Sequence, residues 1–276
     1  MAERIPRLNR DRLSVLIALI LLTSVLLRFI QLPQVTRRLH LLGSPLEVNL
    51  TGTGFLVILV AGLAAAGARY VLMAHPDAPD RLPRPLYLSW VLPGLLGGMA
   101  AYLVELAPAE ALWVGGLFLA MVLIGWAVAA EFAALSPRHP AATRARLGLN
   151  ILAYLLALAF FYLIYRTRAR SLVTATGVTL VAFLVALDLL GVAETRARRV
   201  ALYAAIIGLI VGEATWALNY WRVDNWTGSL ILLLFFYLTT GIVQQYLMDR
   251  LKPAVLLEFG LVTAAVLVLV LMAGRR

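Results

Sequence analysis

The feature that most limits this chain is a succession of long apolar runs nearly free of charge. A helix needs ~20 mostly apolar residues to cross ~30 Å of hydrocarbon, since each residue advances it by ~1.5 Å. Nine stretches meet that length: residues 13–30, 54–74, 86–104, 111–135, 147–165, 172–193, 200–220, 227–248 and 254–273. Lipid offers peptide groups no hydrogen-bonding solvent, so a chain of such segments satisfies its backbone by coiling into helices. The predicted fold is an all-α integral membrane protein with nine transmembrane helices. Pro83, Pro85, Pro108, Pro137 and Pro253 fall at or near the proposed boundaries, where a missing N–H is tolerated. Composition excludes the main alternative: 62% of residues are hydrophobic and 14% charged, against roughly 25% charged in a soluble domain. With a mean hydropathy of +0.90, too little polar surface exists to cover a water-soluble globule.

The formal charge of +10 is spread between the apolar runs rather than gathered on a basic face, so it reads as membrane topology and not as a nucleic-acid surface. With a cytoplasmic N-terminus, 15 of the 24 basic residues fall on the inner side, among them Arg4, Arg7, Arg10, Arg12, Arg69, Arg144, Arg146, Arg196 and Arg250. Arg28, Arg37, Arg38, Arg166, Arg168, Arg170 and Arg222 fall outside. That imbalance favours a plasma-membrane protein with its N-terminus inside. Residues 1–12 are expected to be a basic cytoplasmic tail, 13–273 a single polytopic domain, and 274–276 a short basic tail. The first run has no small-residue cleavage pattern, so it reads as an uncleaved helix rather than a signal peptide. Cysteine is absent, which removes disulfides and thiolate chemistry.

The connection at 31–53 reads differently from the rest. Alternation through Val35, Arg37 and Leu39, a Gly43-Ser44-Pro45 turn, and renewed alternation at Leu46, Val48 and Leu50 predict a small β-hairpin on the outer surface. Asn49-Leu50-Thr51-Gly52 before the second run is echoed by Asn225-Trp226-Thr227-Gly228 before the eighth, as a duplicated unit would have it.

Carboxylates inside a span cost on the order of 3 kcal/mol each, so they are the natural candidates for function. Glu131, Asp188, Glu258 and Gln244 lie toward the inner ends of their helices. Asp188 shares a helical stripe with Gly177, Val181, Leu184 and Gly191, which points it into the bundle. One reading is a cytoplasm-open polar cavity for a cation, proton or head group. The other is that these groups snorkel to the interface or pair with Arg138, Arg146 or Arg196. Glu213 lies deeper, beside a Gly208-x-x-x-Gly212 pair, with Asn219 and Tyr220 toward the outer end. It reads as a buried acid that binds a proton or cationic group with those two partners, or that pairs with Arg28 to fix packing.

The outer arginines Arg37, Arg38, Arg166, Arg168 and Arg170 suit an anionic lipid or envelope substrate, or are scattered surface charges. His40, His75 and His139 fall in connections without a ligand constellation, so neither a metal nor a cofactor is expected. The signatures of nucleotide, serine-hydrolase, zincin and dinucleotide sites are missing. The runs Leu42-Gly43-Ser44-Pro45-Leu46 and Glu213-Ala214-Thr215-Trp216-Ala217-Leu218-Asn219-Tyr220, with the stretch from Tyr237 to Gln245, resemble a group of bacterial polytopic membrane proteins classed as a domain of unknown function. That resemblance implies inner-membrane residence and no established activity. The expected function is a non-catalytic structural or partner-binding component of the cell envelope, whose partners are membrane lipids and another membrane protein. A transporter or lipid-handling protein using the intramembrane carboxylates is the alternative, and an intramembrane enzyme the third.

Overall fold

The computed structural model describes residues 8–30, 35–41, 44–75, 88–135, 140–167, 171–221 and 223–273. Among them the helices are α1 (Arg10–Phe29), α2 (Gly52–Leu72), α3 (Val91–Glu105), α4 (Glu110–Leu135), α5 (Ala142–Arg166), α6 (Ser171–Leu190), α7 (Ala197–Asn219), α8 (Asn225–Leu247) and α9 (Pro253–Ala273). They follow the nine apolar runs closely. Between α1 and α2, strands β1 (Val35–Leu41) and β2 (Ser44–Leu50) pair antiparallel, with Val35 opposite Leu50 and Leu41 opposite Ser44. Pro83, Pro85, Pro137, Arg138, His139, Arg168 and Arg170 lie outside the described residues.

Among the described residues seven helices, α1, α2 and α4 to α8, are long and apolar enough to cross a membrane. Of the nine expected spans, α3 and α9 are not among these seven. α3 has 15 residues, so at ~1.5 Å each it rises only ~22 Å, short of the hydrocarbon thickness. α9 covers 21 residues, Pro253–Ala273, of which Pro253–Val268 is the apolar stretch whose side chains are described.

The chain divides into two compact units, Met1–Arg81 with Ser89–Arg146, and Leu82–Leu88 with Leu147–Arg276. The first is a bundle of α1 to α4. Its tightest seam joins α2 and α3 through small side chains. A β-carbon placed at Gly94 would lie 3.1 Å from Ala65, one at Gly97 2.8 Å from Ala64, and one at Gly98 3.3 Å from Ala61. This descending order makes the two helices antiparallel, and the missing side chains let their backbones approach closely, as membrane helices favour. Leu16 of α1 fills the space left by Gly67 of α2 in the same way.

The second unit repeats this device between α6 and α7. A β-carbon placed at Gly208 would lie 2.8 Å from the Thr179 carbonyl oxygen and 3.2 Å from the Phe183 β-carbon, and one at Gly212 would meet the Thr179 hydroxyl. The G-x-x-x-G pair is thus the contact face of α7, and Thr215 and Leu218 continue the buried side toward its C-terminal end. At the start of α7, Arg196 occupies the cap position without a capping side chain. Glu194 supplies the acceptor instead, taking the Arg196 N–H at 3.0 Å and the Arg199 guanidinium at 3.3 Å. The Arg196 N–H, first among these, holds the Glu194 carboxyl below its usual range. α8 ends in a Schellman turn: Asp249 N–H donates to Tyr246 at 3.1 Å and Arg250 N–H to Gln245 at 2.9 Å, with Asp249 at φ 54°. Pro253 then opens α9 at its first position, where no N–H is needed.

The sequence echo is not an equivalence of structure. Thr51 itself caps α2 by accepting the Gly54 N–H at 3.2 Å, whereas α8 is capped by Asp224, three residues before the matching Thr227.

These packing contacts make a direct prediction. Gly208→Ala, whose new methyl meets backbone, should lower the melting temperature of the detergent-solubilised protein, a loss of roughly 1–3 kcal/mol for an overpacked interface. Gly62→Ala, where nothing lies within 4 Å of the new atom, should be neutral or slightly stabilising. Equal melting temperatures for the two variants would rule out the tight α6–α7 approach.

Candidate functional site

Among the described residues, polar side chains gather in five places, four at helix ends and one on a helix flank. In the first unit, α1 and α3 end where α4 begins, and there Arg28 sits 3.8 Å from the Glu105 carboxylate. Its guanidinium lies 5.4 Å from the Trp113 ring centroid, and the Trp113 N–H donates to Glu105 at 3.4 Å. A cavity of about 250 Å³ opens beside this triad, lined by Val25, Arg28, Phe29, Glu110, Trp113 and Val114. Arg28 is therefore committed within its own unit. Glu105 and Trp113 were not singled out by sequence reasoning; their distance of eight residues across a Pro108 turn was the available signal.

At the opposite end of the same unit the α2 C-terminus, the α4 C-terminus and the α5 N-terminus converge. The His75 ring packs 4.7 Å from Phe132, Arg146 donates to the Ala134 carbonyl at 3.0 Å, and Glu131 is completely buried. Glu131, expected to open into a polar cavity or to snorkel to the interface, is fully buried. His75, read from the sequence as a connection residue, is buried as well.

In the second unit, Asp188 is buried near the end of α6, as its stripe with Gly177, Val181, Leu184 and Gly191 predicts. Gln244 of α8 reaches that end and donates to the Leu189 carbonyl at 3.1 Å. Gly241, one turn earlier, receives the Phe259 ring of α9. Glu258 does not join them. It is exposed on α9, so a carboxylate layer including it does not form.

The far end of this unit is knit by hydrogen bonds and rings. Tyr165 donates its hydroxyl to the Leu218 carbonyl at 3.0 Å, and Asn219 donates to the Thr174 hydroxyl at 3.0 Å. Tyr162 stacks on Trp226 at 4.3 Å. Asp224 caps α8 by accepting the N–H groups of Trp226 and Thr227, both at 3.0 Å. The Thr227 hydroxyl, with these backbone groups, holds the Asp224 carboxyl below its usual range.

Glu213 overturns the expectation of a buried acid. It lies on the exposed side of α7, and no hydrogen bond or ion pair joins it to another described residue. The reason is helical geometry: at ~100° per residue, the α6-facing Gly208 and Gly212 turn Glu213 away from the seam. Asn219, six residues on, points back to α6 and bonds Thr174, while Tyr220 is 80% exposed. The Glu213, Asn219 and Tyr220 cluster therefore does not exist as a pocket. Glu213 instead shares an outward stripe with Leu202, Ile206, Leu209, Trp216 and Tyr220. Of the arginines expected on the outer side, Arg166 is exposed at the end of α5, and Arg37 and Arg38 stand on β1 opposite Val48 and Glu47. Among the described residues no group of three or more His, Asp and Glu can hold a metal ion.

Seven apolar helices of spanning length, small-residue seams and interfacial aromatics define a multi-pass helical membrane protein. The family model described as Protein of unknown function (DUF5656) matches residues 32–273, and the chain belongs to that family. Comparison with curated proteins and with solved structures found no match.

The Asp224 cap yields a pH-dependent outcome. A carboxyl held low when folded contributes stability above the unfolded value of 3.8, and loses it as pH falls through the folded value. Asp224→Ala should therefore cost about 1 kcal/mol at pH 7. Melting curves of variant and wild type should converge as pH drops below the ordinary aspartate range; a gap that persists in acid would show that the carboxylate is not the cap.

Proposed function

We propose that this protein is a non-catalytic membrane component that works by lateral association with another membrane protein, through the outward face of α7. The observation that carries this reading is Glu213. A carboxylate exposed on the flank of an apolar helix is costly against lipid, and intramembrane acids nearly always face protein or a water-filled cavity. A second helix laid on this face would remove that cost and cover Leu209 and Trp216 as well. The aromatic and aliphatic character of the stripe suits such packing.

In this reading the protein sits in a bacterial plasma membrane with its N-terminus in the cytoplasm and the β1–β2 hairpin outside, supported by the excess of basic residues on the inner side. α3 and α9 make full passes as well, giving nine. The antiparallel α2–α3 seam and the meeting of the α1 and α3 C-terminal ends at Arg28 and Glu105 support α3 as a pass.

Two measurements test this. A photo-cross-linking residue at Leu209 should give discrete protein adducts in the native membrane, while one at Leu180, equally exposed on α6, should give lipid adducts; lipid adducts alone from both sites would remove the association reading. The cysteine-free chain also permits single-cysteine topology mapping. Thr167→Cys in intact cells should react with a membrane-impermeant maleimide and Thr195→Cys should not; the reverse pattern would invert the orientation.

A further inference from the structure

The α7 face also specifies the chemistry of what covers it. We infer that the occupant is a transmembrane helix of a different protein, carrying one arginine about two turns below the membrane surface; this rests on the association reading above. Glu213 is six residues from the end of α7 at Asn219, so it lies ~9 Å below that end at ~1.5 Å per residue. Trp216 and Tyr220 stand one and two turns above it on the same stripe, both exposed. Their rings occupy the route by which a short carboxylate side chain would reach the head groups.

A second copy of this chain does not supply the complement. Every described Arg or Lys within a helix lies no more than four residues from a helix end, Arg146 and Arg69 being the deepest. The second exposed intramembrane charge of this unit, Glu258, is also a carboxylate. Self-association through α7 would set Glu213 against apolar side chains or another acid. A foreign helix with a cation at the right depth resolves both costs together.

Arginine fits better than lysine. Its planar fork accommodates a carboxylate with two parallel hydrogen bonds while its face stacks on an aromatic ring. Trp216 offers that ring one turn from Glu213, on the same side of α7. Arg28 already shows the arrangement in this protein, lying over Trp113 while paired with Glu105.

The test uses the full-length chain in liposomes, with a donor dye on Thr195→Cys, and synthetic 23-residue Leu–Ala transmembrane peptides carrying an acceptor. Three peptides differ only at the sixth residue from one end, which is Arg, Leu or Glu. Energy transfer should report about tenfold tighter association of the Arg peptide than of the Leu peptide, the scale of a good polar contact between membrane helices. Glu213→Gln should reduce the Arg peptide to the level of the Leu peptide, and Glu258→Gln should leave the preference intact. Equal binding of Arg and Leu peptides by the wild type overturns the inference, as does a preference that survives Glu213→Gln. Either result would leave lateral association standing if Leu209 still gives protein adducts in the native membrane; loss of those adducts would remove the association itself.

Discussion

A peptide group inside hydrocarbon has no water to bond, and every other feature of this protein follows from that restriction. Helices satisfy their own N–H and carbonyl groups, so the apolar runs coil. Their association then cannot draw on hydrophobic burial, because lipid tails are as apolar as leucine. What remains is close contact, and the protein obtains it by omitting side chains. Gly94, Gly97 and Gly98 bring α3 onto the alanines of α2, and Gly208 and Gly212 bring α7 onto α6.

Helix ends are where the remaining polar demand is met, and the same chemistry recurs there with different residues. Thr51 caps α2, Glu194 serves α7 in place of Arg196, and Asp224 caps α8. Tyr165 and Asn219 spend their hydrogen bonds tying α5 and α6 to the last turn of α7. The ion pair of Arg28 with Glu105, backed by Trp113, closes one end of the first unit. These contacts give many of the described polar residues a structural use. Each of the groups just named has a local use at a helix end.

Against that background Glu213, like Glu258, is a carboxylate that no described neighbour offsets. The seam that gives α7 its close packing is also what turns Glu213 outward, since Gly208 and Gly212 must face α6. Stability within the unit and an exposed acid are thus two consequences of one helical phase. The lateral partner proposed above would relieve the acid without disturbing the seam.

The order and extent of the helices were legible in the sequence, because run length and hydropathy are local properties and the bilayer thickness supplies the ruler. α4, read as 111–135, is Glu110–Leu135, and α8, read as 227–248, is Asn225–Leu247. The inward direction of Asp188 was also legible, from the small residues that share its stripe. Rotation about the helix axis was not legible for α7, because Glu213 adjoins the glycine pair in sequence yet lies ~100° around the helix from Gly212. Nor could the sequence assign Arg28 to Glu105 or Asn219 to Thr174, since those pairs join separate helices. Apolar length along the chain determined which segments coil; only tertiary packing, through the glycine faces that meet, decided which polar groups are enclosed and which are left facing outward.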